Sequence, residues 1–212
     1  MRIKLINFSV HLIALFIIIG CSSDYDVIIK NGTVYDGTGD DPVTTDIGIK
    51  NDKIATIGDL KSESASTIID AGSKAVAPGF INMLSWANYS LLNDGRSMSD
   101  IKQGVTLEIF GEGSSMGPLN EQMRDEEPWE TLGEFLEHLT SQGVSPNVAS
   151  FVGATTIRVN VIGREDRAPT DEELTQMQEL VREAMEEGAM GVGTSLIYAP
   201  AWFAETDELI AL

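Results

Sequence analysis

The chain has 212 residues, 42% of them apolar, and carries 14 basic against 33 acidic side chains for a formal charge of −19. That composition suits a folded chain with a packed core, and so negative a field repels phosphate backbones and excludes nucleic acid as a partner. A single cysteine, Cys21, and two histidines, His11 and His138, exclude an intrachain disulfide, a multi-cysteine zinc centre and a histidine-rich metal site built from these residues alone.

Residues 1–21 open with Arg2 and Lys4, continue through an apolar run from Leu12 to Ile19 and end at Gly20-Cys21. The run falls short of the ~18–20 continuous apolar residues of a spanning helix, and the layout is that of a signal peptide. Its end, Ile18-Ile19-Gly20-Cys21, resembles a bacterial lipobox. That resemblance implies lipidation of Cys21 and a bacterial membrane lipoprotein on the periplasmic or outer-surface side. The competing reading is an uncleaved anchor with an incidental thiol.

Residues 22–76 read as a small all-β domain, with short β-prone runs punctuated by turn residues. Val27-Ile28-Ile29 leads into Asn31-Gly32, a hairpin signal, and Val34-Tyr35 follows. Asp36 to Asp40 is a loop, Ile47 and Ile49 alternate with Gly48 and Lys50, and Asn51-Asp52 turns the chain into Ile54 to Ile57. Ile68-Ile69 forms a last strand. The glycines here lack the lysine-hydroxyl ending of a phosphate loop and read as plain turns.

From residue 77 onward, buried strands alternate with amphipathic helices, which means a parallel sheet in an α/β domain. Strands are expected at Phe80–Leu84, Val105–Phe110, Val148–Val152 and Met190–Ser195. After Pro128, Trp129, Leu132, Phe135, Leu136 and Leu139 form one apolar helical stripe closed by Gly143. His138 falls outside that stripe, which predicts a solvent-facing residue and not a ligand. Thr170 to Glu173 form a capping box that opens a helix with Leu174, Met177, Val181, Ala184 and Met185 on its inner face. Another helix begins near Thr206. The acidic runs Glu121–Glu137 and Asp171–Glu187 read as solvated helix faces.

In order and spacing, several stretches resemble the amidohydrolase superfamily, and within it the N-acyl-D-amino-acid deacylase (D-aminoacylase) group. They are Asp26 to Gly39, Ile54 to Gly58, Ile69 to Ala71, Ala77-Pro78-Gly79-Phe80-Ile81, Gln103-Gly104-Val105-Thr106 and Leu196 to Pro200. The resemblance implies a β-sandwich built from both chain ends beside a (β/α)₈ barrel with metal at the C-terminal mouth of its strands. Residues 77–212 fall well short of the about 250 residues of a whole barrel. The expected architecture is therefore an incomplete (β/α)₈ barrel preceded by the N-terminal part of a small β-sandwich domain, within a longer protein.

The resemblance also locates departures. Leu84 and Trp86 stand where first-strand histidines of the family bind zinc, and Asn82 stands at the place of an aspartate. Neither Leu84 nor Trp86 ligates a metal, which leaves room for a single zinc ion. After the second strand, Gly111-Glu112-Gly113-Ser114 replaces a Gly-Asn-Cys-Gly stretch in a segment one residue shorter than the family pattern, so Glu112 falls on either the asparagine or the cysteine position. Glu112 is the candidate metal ligand, with a loop acid or ion-pair partner as the alternative. Tyr198, matching a tyrosine near the substrate carboxylate, is the candidate substrate-binding residue; packing beside Pro200 is its alternative. Arg158 suits either a substrate carboxylate or an ion pair with a helix acid. No catalytic residue is assigned. The activity implied is metal-dependent hydrolysis of an amide C–N bond in a small N-acyl amino acid or short peptide. A catalytically inactive amidohydrolase-fold lipoprotein used for binding is the alternative.

Overall fold

The computed structural model describes residues 23–212. The expected signal peptide and Cys21 lie outside the described residues. The chain divides into two compact units, one ending at Pro78 and one running Gly79–Leu212.

The first unit is a single mixed sheet of β1 (Tyr25–Val34), β2 (Val43–Lys50), β3 (Lys53–Gly58), β4 (Ala65–Asp70) and β5 (Ala75–Val76). The order is β3-β2-β1-β4, and β5 continues the β4 side of β1. β1–β2 and β2–β3 are antiparallel, whereas β4 and β5 run parallel to β1. The expected turn at Asn51-Asp52 is present: both residues have positive φ, and Lys50 pairs with Lys53 across it. That is the backbone twist a two-residue hairpin requires.

Asn31-Gly32 is not a hairpin turn. β1 runs through it, and the pairing with β2 shifts between Ile29 and Gly32, which makes a β-bulge. Three features fix the bulge. Asn31 takes φ 61, its N–H donates to the buried Asp46 carboxylate at 2.9 Å, and a Cβ on Gly32 would lie 2.5 Å from Val76 Cγ2. Asp46 also accepts from Leu60 N at 3.1 Å, so one carboxylate satisfies the donor at the bulge and a second backbone donor beyond the end of β3.

The second unit contains β6 (Phe80–Asn82), α1 (Asn88–Asn93), α2 (Met98–Ile101), β7 (Val105–Phe110), α3 (Leu132–Ser141), β8 (Asn147–Ser150), β9 (Val152–Gly153), α4 (Ala154–Val161), α5 (Asp171–Glu186), β10 (Val192–Gly193) and α6 (Thr206–Ala211). β6, β7 and β8 form one parallel sheet, and β9 pairs in parallel with β10. This is an α/β arrangement. The core between strands and helices gathers Phe110, Leu132, Phe135, Val152, Ile157 and Met177. Both long helices start with a two-way capping box, Thr131/Glu134 for α3 and Thr170/Glu173 for α5.

Several elements differ from expectation. The first strand stops at Asn82, whose side-chain oxygen accepts from Leu84 N at 3.3 Å and turns the chain out of the sheet. The third strand breaks at Phe151, where the backbone changes partners: Phe151 N bonds Phe110 O and Val152 N bonds Gly191 O. α3 begins at Leu132, not at Trp129; Trp129 packs on Phe135 at 5.2 Å and donates its indole N–H to Met116 O. His138 is half-buried against the Trp129 ring at 5.3 Å instead of facing solvent. Met185 is exposed, while Met177, Val181 and Ala184 carry the inner face of α5.

Candidate active site

In a parallel α/β unit the C-terminal ends of the strands converge with the starts of the following helices, and that is where such folds place ligand sites. Four segments leave strands at this end: Met83–Trp86 after β6, Gly111–Gly113 after β7, Gly153 into α4 after β9, and the segment after β10 that leads to Tyr198.

The β7 loop is held by backbone closeness. Gly111 and Gly113 both have positive φ, at 91° and 87°, and Glu112 sits between them. A Cβ on Gly113 would lie 2.6 Å from Ser195 Cβ, one on Gly153 would lie 2.5 Å from Gly113 O, and one on Gly193 would overlap Gly111 O. Glycine at these places lets three segments cross without side-chain bulk. Hydrogen bonds fix the crossing: Thr155 N donates to Gly113 O at 2.9 Å, Ser115 N to Thr156 Oγ1 at 2.8 Å and Gly153 N to Ser115 Oγ at 3.0 Å.

Glu112 is therefore a half-buried carboxylate on an immobilised loop. Its loop touches Ser195, three residues before Tyr198. Tyr198 itself is 64% exposed, with its carbonyl accepting from Trp202 N. Leu84 and Trp86 are also exposed at the end of β6. Among the described residues no three His, Cys, Asp or Glu side chains come together. A carboxylate is a sound zinc ligand in kind, but these residues do not hold a metal ion by themselves.

Arg158 is not available to a ligand. It is 1% exposed on α4, donates to Glu208 of α6 at 2.5 Å, and also bonds the carbonyls of Glu165 and Arg167. The ion pair with a helix acid is the role it fills.

A residue the sequence reading passed over lies beneath the mouth. Glu108, in the middle of β7, is fully buried and accepts from Ser85 Oγ at 2.6 Å and Ser97 Oγ at 2.5 Å. The signal was a lone acid inside the apolar run Val105–Phe110.

Comparison with known proteins agrees with this layout. No protein-family model matches the chain. A D-aminoacylase of Alcaligenes xylosoxydans xylosoxydans is 35% identical over 200 residues, covering 89% of this chain and 41% of that protein. A crystal structure of a D-aminoacylase, described as defining a subset of amidohydrolases, superposes with a TM-score of 0.79 at 33% identity, over 88% of this chain and 42% of that one. The chain is a relative of the D-aminoacylases.

This D-aminoacylase relative is also similar to an N-acyl-D-glutamate deacylase of Bordetella bronchiseptica solved with zinc and a phosphonate inhibitor that mimics a tetrahedral intermediate. The TM-score is 0.81 at 30% identity, over 89% of this chain and 42% of that one. The chain spans about two fifths of the length of the curated relatives it matches. No helix among the described residues is long and apolar enough to cross a membrane.

Proposed function

We propose that this chain is part of a metal-dependent hydrolase that cleaves the non-peptide amide C–N bond of an N-acyl-D-amino acid or a similar small N-acyl substrate. The observation that carries the reading is Glu112, fixed between two positive-φ glycines at the C-terminal end of β7 in a chain 35% identical to a D-aminoacylase. The architecture proposed with it is an incomplete (β/α)₈ barrel, residues 77–212, after the N-terminal part of a β-sandwich, residues 22–76.

One zinc ion is proposed, because Leu84 and Trp86 offer no ligand at the end of β6. Glu112 would give it one oxygen, and the other ligands would come from sequence outside these 212 residues. A bound zinc ion supplies amide hydrolysis with a polarised carbonyl and an activated water. Tyr198, on the segment that follows Ser195, is proposed to meet the substrate. Cys21 is proposed as the lipidated residue of a membrane-tethered bacterial lipoprotein, a reading that rests on the lipobox-like sequence.

The test is Glu112→Ala in the whole protein, with zinc content measured by elemental analysis and turnover measured on N-acyl-D-amino acids. Zinc and turnover should both fall. Unchanged values for both remove Glu112 from the site, and a zinc-loaded parent protein with no turnover on any N-acyl-amino acid removes the hydrolase reading.

A further inference from the structure

Glu108 shares its face of β7 with Phe110, since alternate strand residues point the same way, and the Phe110 ring packs edge-on against Phe135 of α3. The Glu108 carboxylate therefore lies on the helix side of the sheet. It is fully buried, and among the described residues no lysine, arginine or histidine forms an ion pair with it. A buried carboxylate without a cation is costlier than an aliphatic side chain of the same volume, and hydroxyl donors recover only part of that cost. Core stability alone does not account for an acid at this place.

What the carboxylate does geometrically is tie two separate segments to β7. One oxygen accepts from Ser85, in the loop after β6; the other accepts from Ser97, the residue before α2. Ser85 is further bound through its N–H to Ile109 O at 2.9 Å, and its hydroxyl oxygen accepts from Ala87 N at 3.2 Å. Ser97 has φ 44, a left-handed conformation uncommon for a residue with a Cβ, and the Glu108 bond holds its side chain there. Leu84 and Trp86 flank Ser85 directly, and they are 50% and 64% exposed at the strand mouth.

We propose that Glu108 is a positioning residue that braces the Leu84–Trp86 segment through Ser85, and that Leu84 and Trp86 form an apolar contact for the acyl chain of the substrate. The acyl contact rests on the hydrolase reading above; the brace does not. An apolar pair in place of ligands favours longer acyl chains through buried area.

The experiment compares Glu108→Gln, Glu108→Leu and Ser85→Ala in the whole protein. Backbone amide exchange is followed at Ser85 and Ala87, with Met177 and Val181 of α5 as internal reference. Kinetics are measured on an N-acetyl and an N-octanoyl derivative of the same amino acid. A glutamine keeps one acceptor for a serine hydroxyl and offers its amide to the other, so Glu108→Gln should stay near the parent. Glu108→Leu should speed exchange at Ser85 and Ala87, and Ser85→Ala at residue 85, by about tenfold or more while α5 is unchanged. They should also erase the KM advantage of the octanoyl substrate with little change in kcat.

Unchanged exchange at residue 85 in Ser85→Ala overturns the brace, as does a Glu108→Gln protein as loosened as Glu108→Leu. If Glu108→Leu fails to fold, Ser85→Ala decides alone, read at the residue 85 amide that bonds Ile109 O, because the Ala87 amide loses its own acceptor in that variant. Loosened exchange with an unaltered octanoyl preference overturns the acyl contact. A parent protein without turnover fails the hydrolase reading, and the exchange pattern then decides the brace separately.

Discussion

The Arg158 guanidinium on α4 donates to the Glu208 carboxylate on α6 across 2.5 Å, with the two side chains only 1% and 4% exposed. The pair joins helices fifty residues apart in sequence and leaves Arg158 Nε without a partner among the described residues. Removing one partner strands a charge in the interior. Arg158→Met or Glu208→Leu alone should therefore destabilise the protein by about 3–5 kcal/mol, and the double replacement should cost less than either single one. Denaturant unfolding of the four proteins in a double-mutant cycle checks this, and additive losses would contradict it.

The crossing of glycines at the strand mouth predicts a sharp response to a single methyl group. In Gly193→Ala the new Cβ would overlap Gly111 O, so β10 or the Glu112 loop must move. The expected cost is about 1–3 kcal/mol, with faster exchange of the Thr155 amide, which bonds Gly113 O. Gly143→Ala is the control. Its Cβ would meet nothing within 4 Å, and only the strain of a positive φ is added there.

The start of α5 should weaken in acid. The Arg167 guanidinium, which bonds both oxygens of Glu173, and the Thr170 N–H beside it hold the Glu173 carboxyl down to about 2 from an ordinary 4.5. A folded-state value below the unfolded one contributes stability that is present above the unfolded pKa and is lost as the pH falls through the folded one. Amide protection in the first turn of α5 should therefore decline between pH 4.5 and about 2. Glu173→Gln should flatten that dependence, and an undiminished decline in the variant would assign it to other groups.

At the β2–β3 turn, Asn51 and Asp52 both occupy positive φ. The second position favours glycine, which has no Cβ to strain there. Asp52→Gly should raise stability by up to about 1 kcal/mol, read as a higher denaturant midpoint. A lower midpoint would mean that the aspartate makes a compensating contact.

Much of the architecture was legible because its causes are local. The Thr170 capping box, the Asn51-Asp52 turn and the apolar stripe of α3 announce themselves within a few residues, since a helix needs its amides capped and a hairpin needs positive φ. What was illegible depended on distant partners. Asn31-Gly32 carries the dipeptide of a hairpin, but Asp46 and Val76 make it a bulge. Residues 154–161, rich in threonine and valine, have strand-like composition and are helical because Ala154 and Ile157 bury against the core, where packing outweighs propensity.

The candidate site divides the same way. Glu112 was visible as an acid between glycines after a strand. The contacts that immobilise its loop come from residues 153, 155, 156 and 195, which no local pattern links to it. Arg158 looked equally suited to a ligand or to a helix acid, because the sequence does not show that Glu208 returns to it fifty positions later. Glu108 was in plain view inside a strand; only its complete burial distinguishes it from an edge residue.

Where the backbones of residues 111, 113, 153 and 193 cross, there is no space to add a Cβ to the glycines. Position 112 is the place in the β7 loop where a side chain can be exchanged while the chain keeps its path. A substitution at residue 112 therefore changes the chemical group presented at this mouth with the scaffold around it unchanged.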